Sequence, residues 1–537
     1  MAVGTPRFSI VTPVFDPRLA DFRSCTQSVL GQTAIDWEWI LADDGSSDEA
    51  LLEFLSGLSA DPRVTVVTLE RNAGISAATN AALERATGEF VAFLDHDDEL
   101  TTDALAIVAE AIESADRPDM LYSDEVKIAD NGGLYDWFAK PEWSPERLRG
   151  HNYCNHLTVA RTSLVRELGG LRSEFDGAQD HDLVLRIGER TNRVIHIPRV
   201  LYRWRATAGS AASDPMAKPG ATVAGSRAIR DHLARVGIDA EVTAPFPGRY
   251  RTVRRVQHRR SVSIIIPTRG DTKRVSGRPI DLVVNAVQSI MATSRDPGVE
   301  IVVVHDRHTP SHTLERLTDL AGPSLVLAEW DAPFHFSRQV NLGVVRSSGE
   351  ILVLLNDDTE VITADWLDTL VGYLEEPDVG MVGPMLLLAD GRIQSAGHHY
   401  LPTPLHIGAG ADADDPGPHA MFAVAGERSG VTAACAALRR DVFYEVGGLS
   451  VRFPNCYNDV DLGFKLMDAG YRIVWTPHAK LHHFESLSRD PRESTQEAQE
   501  LASRWGRRLG TDPYARQLDL WWTEMPFFPP SDEGTIQ

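Results

Sequence analysis

Cysteine is scarce: 4 residues in 537. Cys25, Cys154, Cys435 and Cys456 stand far apart with no CxxC pair. That excludes a zinc ribbon and a disulfide framework and fits reduced thiols in a cytosolic chain. Positive charge is also short, with Lys+Arg 53 against Asp+Glu 76 and a formal net charge of -23. Such a surface repels phosphate backbones, so nucleic acid is not an expected partner. A nucleotide remains compatible, because a divalent cation can bridge acidic side chains to a diphosphate. Long apolar runs are missing as well: Ile351 to Leu355 and Met385 to Leu388 are far too short to span a bilayer. Met1 to Arg7 lacks the cationic stretch and apolar run of a secretory signal. The expected location is cytoplasmic, with at most a peripheral contact at the inner face of the membrane. A composition of 43% hydrophobic and 24% charged residues excludes a largely disordered chain.

What the chain does have is a long internal repeat. Phe8-Ser-Ile-Val-Thr-Pro13 returns as Val262-Ser-Ile-Ile-Ile-Pro267, and Asp43-Asp44 after an apolar run returns as His305-Asp306. Asn80, Gly88-Glu89 and Asp95-His96-Asp97 match Asn341, Gly349-Glu350 and Asn356-Asp357-Asp358 at one constant offset. Gly169-Gly170 and Asp180-His181-Asp182-Leu183 match Gly447-Gly448 and Asp459-Val460-Asp461-Leu462. The pattern reads as a tandem duplication, residues 1–250 and residues 251–537 with a C-terminal tail. The seam falls near Gly248 to Arg260, a Pro-, Gly- and Arg-rich stretch.

Each copy alternates short apolar runs with helical spacing. Phe8 to Thr12, Trp37 to Ala42 and Phe90 to Leu94 read as buried strands, and Arg18 to Gln32 and Asn72 to Ala86 as helices. In the second copy Val262 to Ile266, Glu300 to Val304 and Glu350 to Leu355 read as strands and Ser337 to Arg346 as a helix. This alternation predicts an α/β fold with a mainly parallel central sheet in each copy. Acidic residues then fall at the carboxyl ends of strands, where open α/β sheets place ligands. Asp95, Asp97 and Asp98 repel one another unless a cation or backbone donors neutralise them. Mg²⁺ or Mn²⁺ with oxygen ligands would do so; an exposed helix N-cap is the plainer reading of one such cluster. Its return as Asp357-Asp358 favours the cation. Asp43 and Asp44 either cap the next helix or accept from a pyrimidine base. Asp180 and Asp182 either begin a helix or deprotonate an acceptor hydroxyl.

Together these segments resemble family-2 glycosyltransferases of the GT-A fold. The resemblance rests on Ala42-Asp-Asp-Gly-Ser-Ser-Asp48, Asn72-Ala-Gly-Ile-Ser-Ala-Ala-Thr-Asn80 and Phe93-Leu-Asp-His-Asp-Asp98. Leu121-Tyr-Ser-Asp-Glu125, Lys140-Pro-Glu-Trp-Ser144 and Gly177-Ala-Gln-Asp-His-Asp182 extend it. In the second copy it rests on Leu355-Asn-Asp-Asp358, Asn458-Asp-Val-Asp461 and His482-His-Phe-Glu-Ser486. The set is similar to tandem enzymes of bacterial O-antigen, capsule and other surface-polysaccharide pathways. It implies two GT-A (nucleotide-diphospho-sugar transferase, Rossmann-like) domains that transfer sugars from nucleoside-diphosphate sugars to a growing glycan or lipid-linked glycan. Position by position, Asp43 or Asp44, and Asp306, would contact the base. Asp95 and Asn356 would face the ribose, with Asp357 on the nucleotide-sugar side. Asp97, Asp98 and Asp358 would serve the divalent metal, Mn²⁺ or Mg²⁺, completed by His482 or His483. Asp180 and Asp459 would be the catalytic bases of an inverting displacement. The alternative is one catalytic half, with the other positioning the acceptor or binding glycan as a scaffold.

The copies differ in detail. Equal spacing from Asp180 to Pro198 and from Asp459 to Pro477 places Arg203 opposite His482. Arginine cannot ligate a metal but can pair with a diphosphate, so the first copy would bind its cation with fewer protein ligands or use Arg203 or Arg205 as a partial substitute. His305 leaves Asp306 as the sole acid of its pair. Gly408 to Ala413 fits a dinucleotide fingerprint but precedes a loop, not a helix, and is rejected. His398, His399 and His406 are expected in an acceptor-cleft or surface loop. Trp521, Trp522, Phe527 and Phe528 are expected to pack on the second domain, with a membrane carrying the acceptor as the alternative. The basic stretch Arg249 to Arg260 reads as an interdomain salt-bridge surface or a contact for anionic lipid.

Overall fold

The computed structural model describes residues 6–206, 219–256, 260–275, 277–294, 298–400, 403–484, 495–514 and 516. The chain forms two compact units, one running to Ile238 and taking in Val242–Thr252 and Arg516, the other taking in Asp239–Glu241 and Val253–Ala515.

In the first unit the central sheet runs, in spatial order, Val64–Thr68, Trp37–Asp43, Phe8–Val14, Phe90–Phe93, Thr158–Arg161, Met120–Ile128, Val194–Arg205 and Glu99–Leu100. The second unit repeats that order with Leu325–Trp330, Val299–Asp306, Val262–Thr268, Ile351–Leu355, Cys435–Arg439, Val379–Leu387, Arg472–His483 and Thr359–Val361. The first four strands of each sheet are parallel. The fifth runs antiparallel to both neighbours. The α/β class stands, and the sheets are mixed beyond the fourth strand. Helix Ala104–Ser114 and strand Met120–Ile128 come between them in the chain, and Thr158–Arg161 then returns between Phe90–Phe93 and Met120–Ile128, antiparallel to both.

The parallel strands are apolar on both faces because helices cover both. Phe8, Ile10, Trp39, Leu41, Phe90 and Ala92 pack in the core of the first unit, and Ile264, Ile266, Ile301, Val303, Ile351 and Val353 in that of the second. Each large side chain so buried stabilises the fold by about 1.5–3 kcal/mol. Helices Leu19–Leu30 and Ile75–Arg85 stand close to the limits expected from spacing, as does Phe336–Arg346. Asp48 accepts from the N–H groups of Ala50 and Leu51, at 2.8 and 3.2 Å, and so caps helix Glu49–Leu58.

The repeated residues carry out matching tasks. Ser9 Oγ donates to Glu38 at 2.6 Å and accepts from Gly88 N at 2.8 Å. Ser263 does the same with Glu300 and Gly349, at 2.5 and 2.7 Å. A Cβ on Gly88 would lie 2.7 Å from the backbone of Phe8 and Ser9, and one on Gly349 would lie 2.6 Å from Ser263 N. Only glycine fits that close approach. Asn80 clasps both backbone groups of Leu171, and Asn341 those of Leu449, beside the Gly-Gly turns.

Among the described residues no helix is long and apolar enough to cross a membrane. Trp521, Trp522, Phe527 and Phe528 lie outside the described residues. In the basic stretch, Arg254 pairs with Glu376 at 2.7 Å, and Arg260 reaches Glu375 at 3.9 Å, all within the second unit.

Candidate active site

Strand Phe90–Phe93 delivers Asp95 to a pocket of about 570 Å³. Val11 and Pro13 line it from the neighbouring strand, Asn155 and His156 from the chain entering the antiparallel strand, and Gln179 and Asp180 from the first turn of helix Gln179–Gly188. Nucleotide-site, metal-site and base candidates thus meet at one end of the sheet.

Asp95, Asp98 and His156 each offer a ligand atom, and these lie within 4.8 Å of one another. Two hard carboxylates and one imidazole are a donor set that suits Mn²⁺ and also Mg²⁺. Asp97 is not one of the three; its carboxyl is raised first by burial, with His96 opposing and Asp95 adding. Asp98 accepts from the Tyr202 hydroxyl at 2.6 Å and from Arg205 N at 2.7 Å. Burial, then the charges of Asp97 and Asp95, hold it well above the usual carboxylate range. Arg205 donates from Nε to the Asp97 carbonyl at 2.8 Å and pairs with Glu99, whereas Arg203 reaches Glu99 at 3.5 Å. Arg205, not Arg203, therefore supplies positive charge at the acidic strand end.

His156 is fixed from behind. Glu125 accepts from its backbone N–H and faces its Nδ1 at 3.3 Å, while Lys140 Nζ lies 3.3 Å from the same carboxylate and donates to the His156 carbonyl at 2.6 Å. Tyr202 stacks on the ring at 4.7 Å between centroids. Burial would lower the imidazole, but Glu125, then Asp98 and Asp95, carry it up to about 9. Lys140 and His156 overcome burial to hold Glu125 at about 2.

Asp180 accepts from Asn155 Nδ2 and from His181 N. Burial raises its carboxyl, with His156 opposing. Asp182, on the helix face turned from the pocket wall, is fully buried between Arg172 and Arg186. Asp43 accepts from Ser46 N at 3.0 Å, closing its turn. Asp44 accepts from Ala73 N and Gly74 N, at 2.7 and 2.9 Å, and so anchors the loop before helix Ile75–Arg85. Both acids keep lone pairs beyond these bonds.

The second unit places Pro267, Thr268, Arg269, Asn356 and Asp357 around a pocket of about 340 Å³. Asp357 accepts from Thr268 Oγ1 at 2.6 Å; burial and Asp358 raise it to about 7. His483 Nε2 lies 3.2 Å from both Asp358 Oδ1 and Asn356 Nδ2, and its Nδ1 meets Gln394 Oε1 at 2.8 Å. His482 faces away, with Nδ1 on the Leu388 carbonyl at 3.0 Å. Successive strand residues point to opposite faces, so one histidine alone can reach the acids. Asp459 accepts from Ala433 N and Val460 N, at 3.1 and 2.9 Å. Asp306 accepts from His308 N at 2.7 Å. His398 and His399 are buried, in a short strand paired with Leu405–His406, and not in a surface loop.

The description Glycosyl transferase family 2 matches residues 9–158 and 263–447, more than half of the chain. The chain belongs to glycosyl transferase family 2. It is 40% identical over 501 residues to the uncharacterized protein y4gI of Sinorhizobium fredii, covering 90% of this chain and 54% of that protein. It is 38% identical over 495 residues to the O-antigen biosynthesis protein RfbC of Myxococcus xanthus, covering 90% and 38%. The chain therefore spans about half or less of these relatives' lengths. A crystal structure of S. aureus TarS 1-349 in complex with UDP-GlcNAc has a TM-score of 0.34 at 20% identity, covering 43% of this chain and 72% of that one.

His156, Glu125, Lys140, Asn155, Tyr202, Thr268 and Gln394 carry no role in the sequence reading. Glu125 and Lys140 sit inside motifs that carried the resemblance, and a lysine with no exposed surface is the clue that only folding supplies.

Proposed function

We propose that each unit is an inverting, divalent-metal-dependent glycosyltransferase site, taking a nucleoside-diphosphate sugar as donor and a growing, lipid-linked glycan as acceptor. One observation carries the reading: in the first unit Asp180, at a helix start, and Asp95, at an acidic strand end, line one cleft, and the second unit repeats an acidic strand end and an aspartate, Asp459, at a helix start. In this reading Asp95 and Asn356 hold the donor's ribose. Asp43 or Asp44, and Asp306, take the base with lone pairs their turns leave open. In the first unit the fitting donors for the ion are Asp95, Asp98 and His156, with Asp97 half-buried alongside. In the second they are Asp358 and His483. When bound, such an ion offsets negative charge on the departing nucleoside diphosphate, worth several kcal/mol.

Asp180 takes the proton of an acceptor hydroxyl while that oxygen bonds to the anomeric carbon. The bond from that carbon to the diphosphate oxygen breaks, and its electron pair leaves with the nucleoside diphosphate. One displacement inverts configuration. Asn155 and His181 N aim the carboxylate, and Ala433 N and Val460 N do so for Asp459.

Screening uridine, guanosine, adenosine and thymidine diphosphate sugars for nucleoside-diphosphate release tests the reading. Release from at least one donor with Mn²⁺ or Mg²⁺, lost on chelation with EDTA, is the expected result. Undiminished release in EDTA would remove the metal from the account.

A further inference from the structure

Strand register lets the two units be compared residue by residue. Glu99 pairs with Arg203 and Leu100 with Tyr202; Glu360 pairs with His482 and Val361 with Leu481. Glu99 and Glu360 hold the same place after the acidic segment, so the counterpart of His483 is Trp204. Likewise Phe90 pairs with Arg161 and Ile351 with Arg439. Counting back equally from those arginines sets His156 against Ala434. Glu125 pairs with Tyr202 and Leu386 with Leu481, so Glu125 corresponds to Leu386. Three positions have changed together: Glu125, His156 and Trp204 in one unit are Leu386, Ala434 and His483 in the other.

Each unit nevertheless brings one imidazole from outside the acidic segment to that strand end, and each fixes it alike. Nδ1 faces an outer oxygen, Glu125 Oε2 at 3.3 Å or Gln394 Oε1 at 2.8 Å. Nε2 is left as the ring nitrogen for the acids, and in the second unit it lies 3.2 Å from Asp358. An outer oxygen that fixes ring orientation is the usual companion of a metal-bound histidine. Trp204 fills the vacated strand position and packs against His156, centroids 5.3 Å apart.

We propose that the two sites hold their divalent ion through histidines from different places in the fold, His156 from the chain entering the fifth strand, aimed by Glu125, in the first unit and His483 from the seventh strand, aimed by Gln394, in the second. The inference rests on the metal reading above and assigns the ligand within it. An exchange of this kind requires the outer oxygen to move with the ring, which explains why the Glu125 position becomes leucine where the histidine has left.

Mn²⁺ alone, titrated into the full chain and followed by the electron paramagnetic resonance of the free ion, provides the test. The native chain is expected to bind two ions. His156→Ala is expected to weaken one of them at least tenfold, His483→Ala the other, and Glu125→Gln the first by roughly 10- to 100-fold. Circular dichroism checks that each variant is folded. His156→Ala with Trp204→His recreates the second unit's arrangement and should restore the lost ion. Two ions bound with native affinity by folded His156→Ala would overturn the ligand assignment while leaving the metal reading intact. No manganese bound by an active native chain would overturn both.

Discussion

Asp180→Asn in the full chain is expected to slow transfer at the first site by about 10²- to 10⁴-fold, the usual contribution of a positioned general base. Asparagine keeps the shape and one of the two accepting oxygens, which can serve His181 N or Asn155 but not both, so donor binding should change little; kcat falls and KM holds. Asp459→Asn should do the same at the second site. If the units act on different donors, each variant removes one product and spares the other, as separate assays with each nucleotide sugar will read. Loss of all activity from one variant and none from the other would instead support a single catalytic half. The pH profile carries a further sign. A base works deprotonated, and burial holds Asp180 above its ordinary value. Activity at the first site should therefore fall as pH drops through a point above the common aspartate range.

Asp182→Asn is expected to have the opposite character, a large loss of stability. Its carboxylate is fully buried and bonds Arg186 at 2.9 Å and Arg172 at 3.1 Å. Arg186 also donates to the Leu168 and Gly170 carbonyls, at 2.9 and 2.8 Å, tying the helix to the Gly-Gly turn. Removing one partner of a buried pair leaves the other charge uncompensated, at a cost of about 3–5 kcal/mol. Asp180→Asn should not share this loss, because burial already disfavours its charged form and neutralising it relieves that cost. Urea unfolding of the two variants side by side reads the contrast. An Asp182→Asn midpoint equal to the native one would show that this ion pair does not hold the helix. Asp461 repeats the arrangement in the second unit, buried with Arg504 at 3.2 Å and the Trp505 indole donating at 2.9 Å.

The sequence makes the duplication legible because the same physical constraints recur at the same spacing. Gly88 and Gly349 return since a side chain at either would meet the strand backbone, and Asn80 and Asn341 return since each clasps the same turn. Strand ends and acidic tips follow from apolar runs that stop at turn formers. Helix Glu49–Leu58, strand Val64–Thr68 and the antiparallel direction of the fifth strand are not legible in this way: pairing direction belongs to the folded sheet, and periodicity does not report it. The choice between His482 and His483 needed the register of a strand. His156 was invisible for a related reason. One histidine before a strand gains meaning only when Glu125, Lys140 and Tyr202 are seen to close around it.

Counting bound nucleotide shows whether the chain holds two donor sites. Equilibrium dialysis of the full chain with Mn²⁺ and the nucleoside diphosphate released in the donor screen should give two molecules per chain. Neutralising one strand end, by Asp98→Asn or by Asp358→Asn, should lower the count to one. No bound nucleotide, or a count that neither substitution changes, would contradict the account.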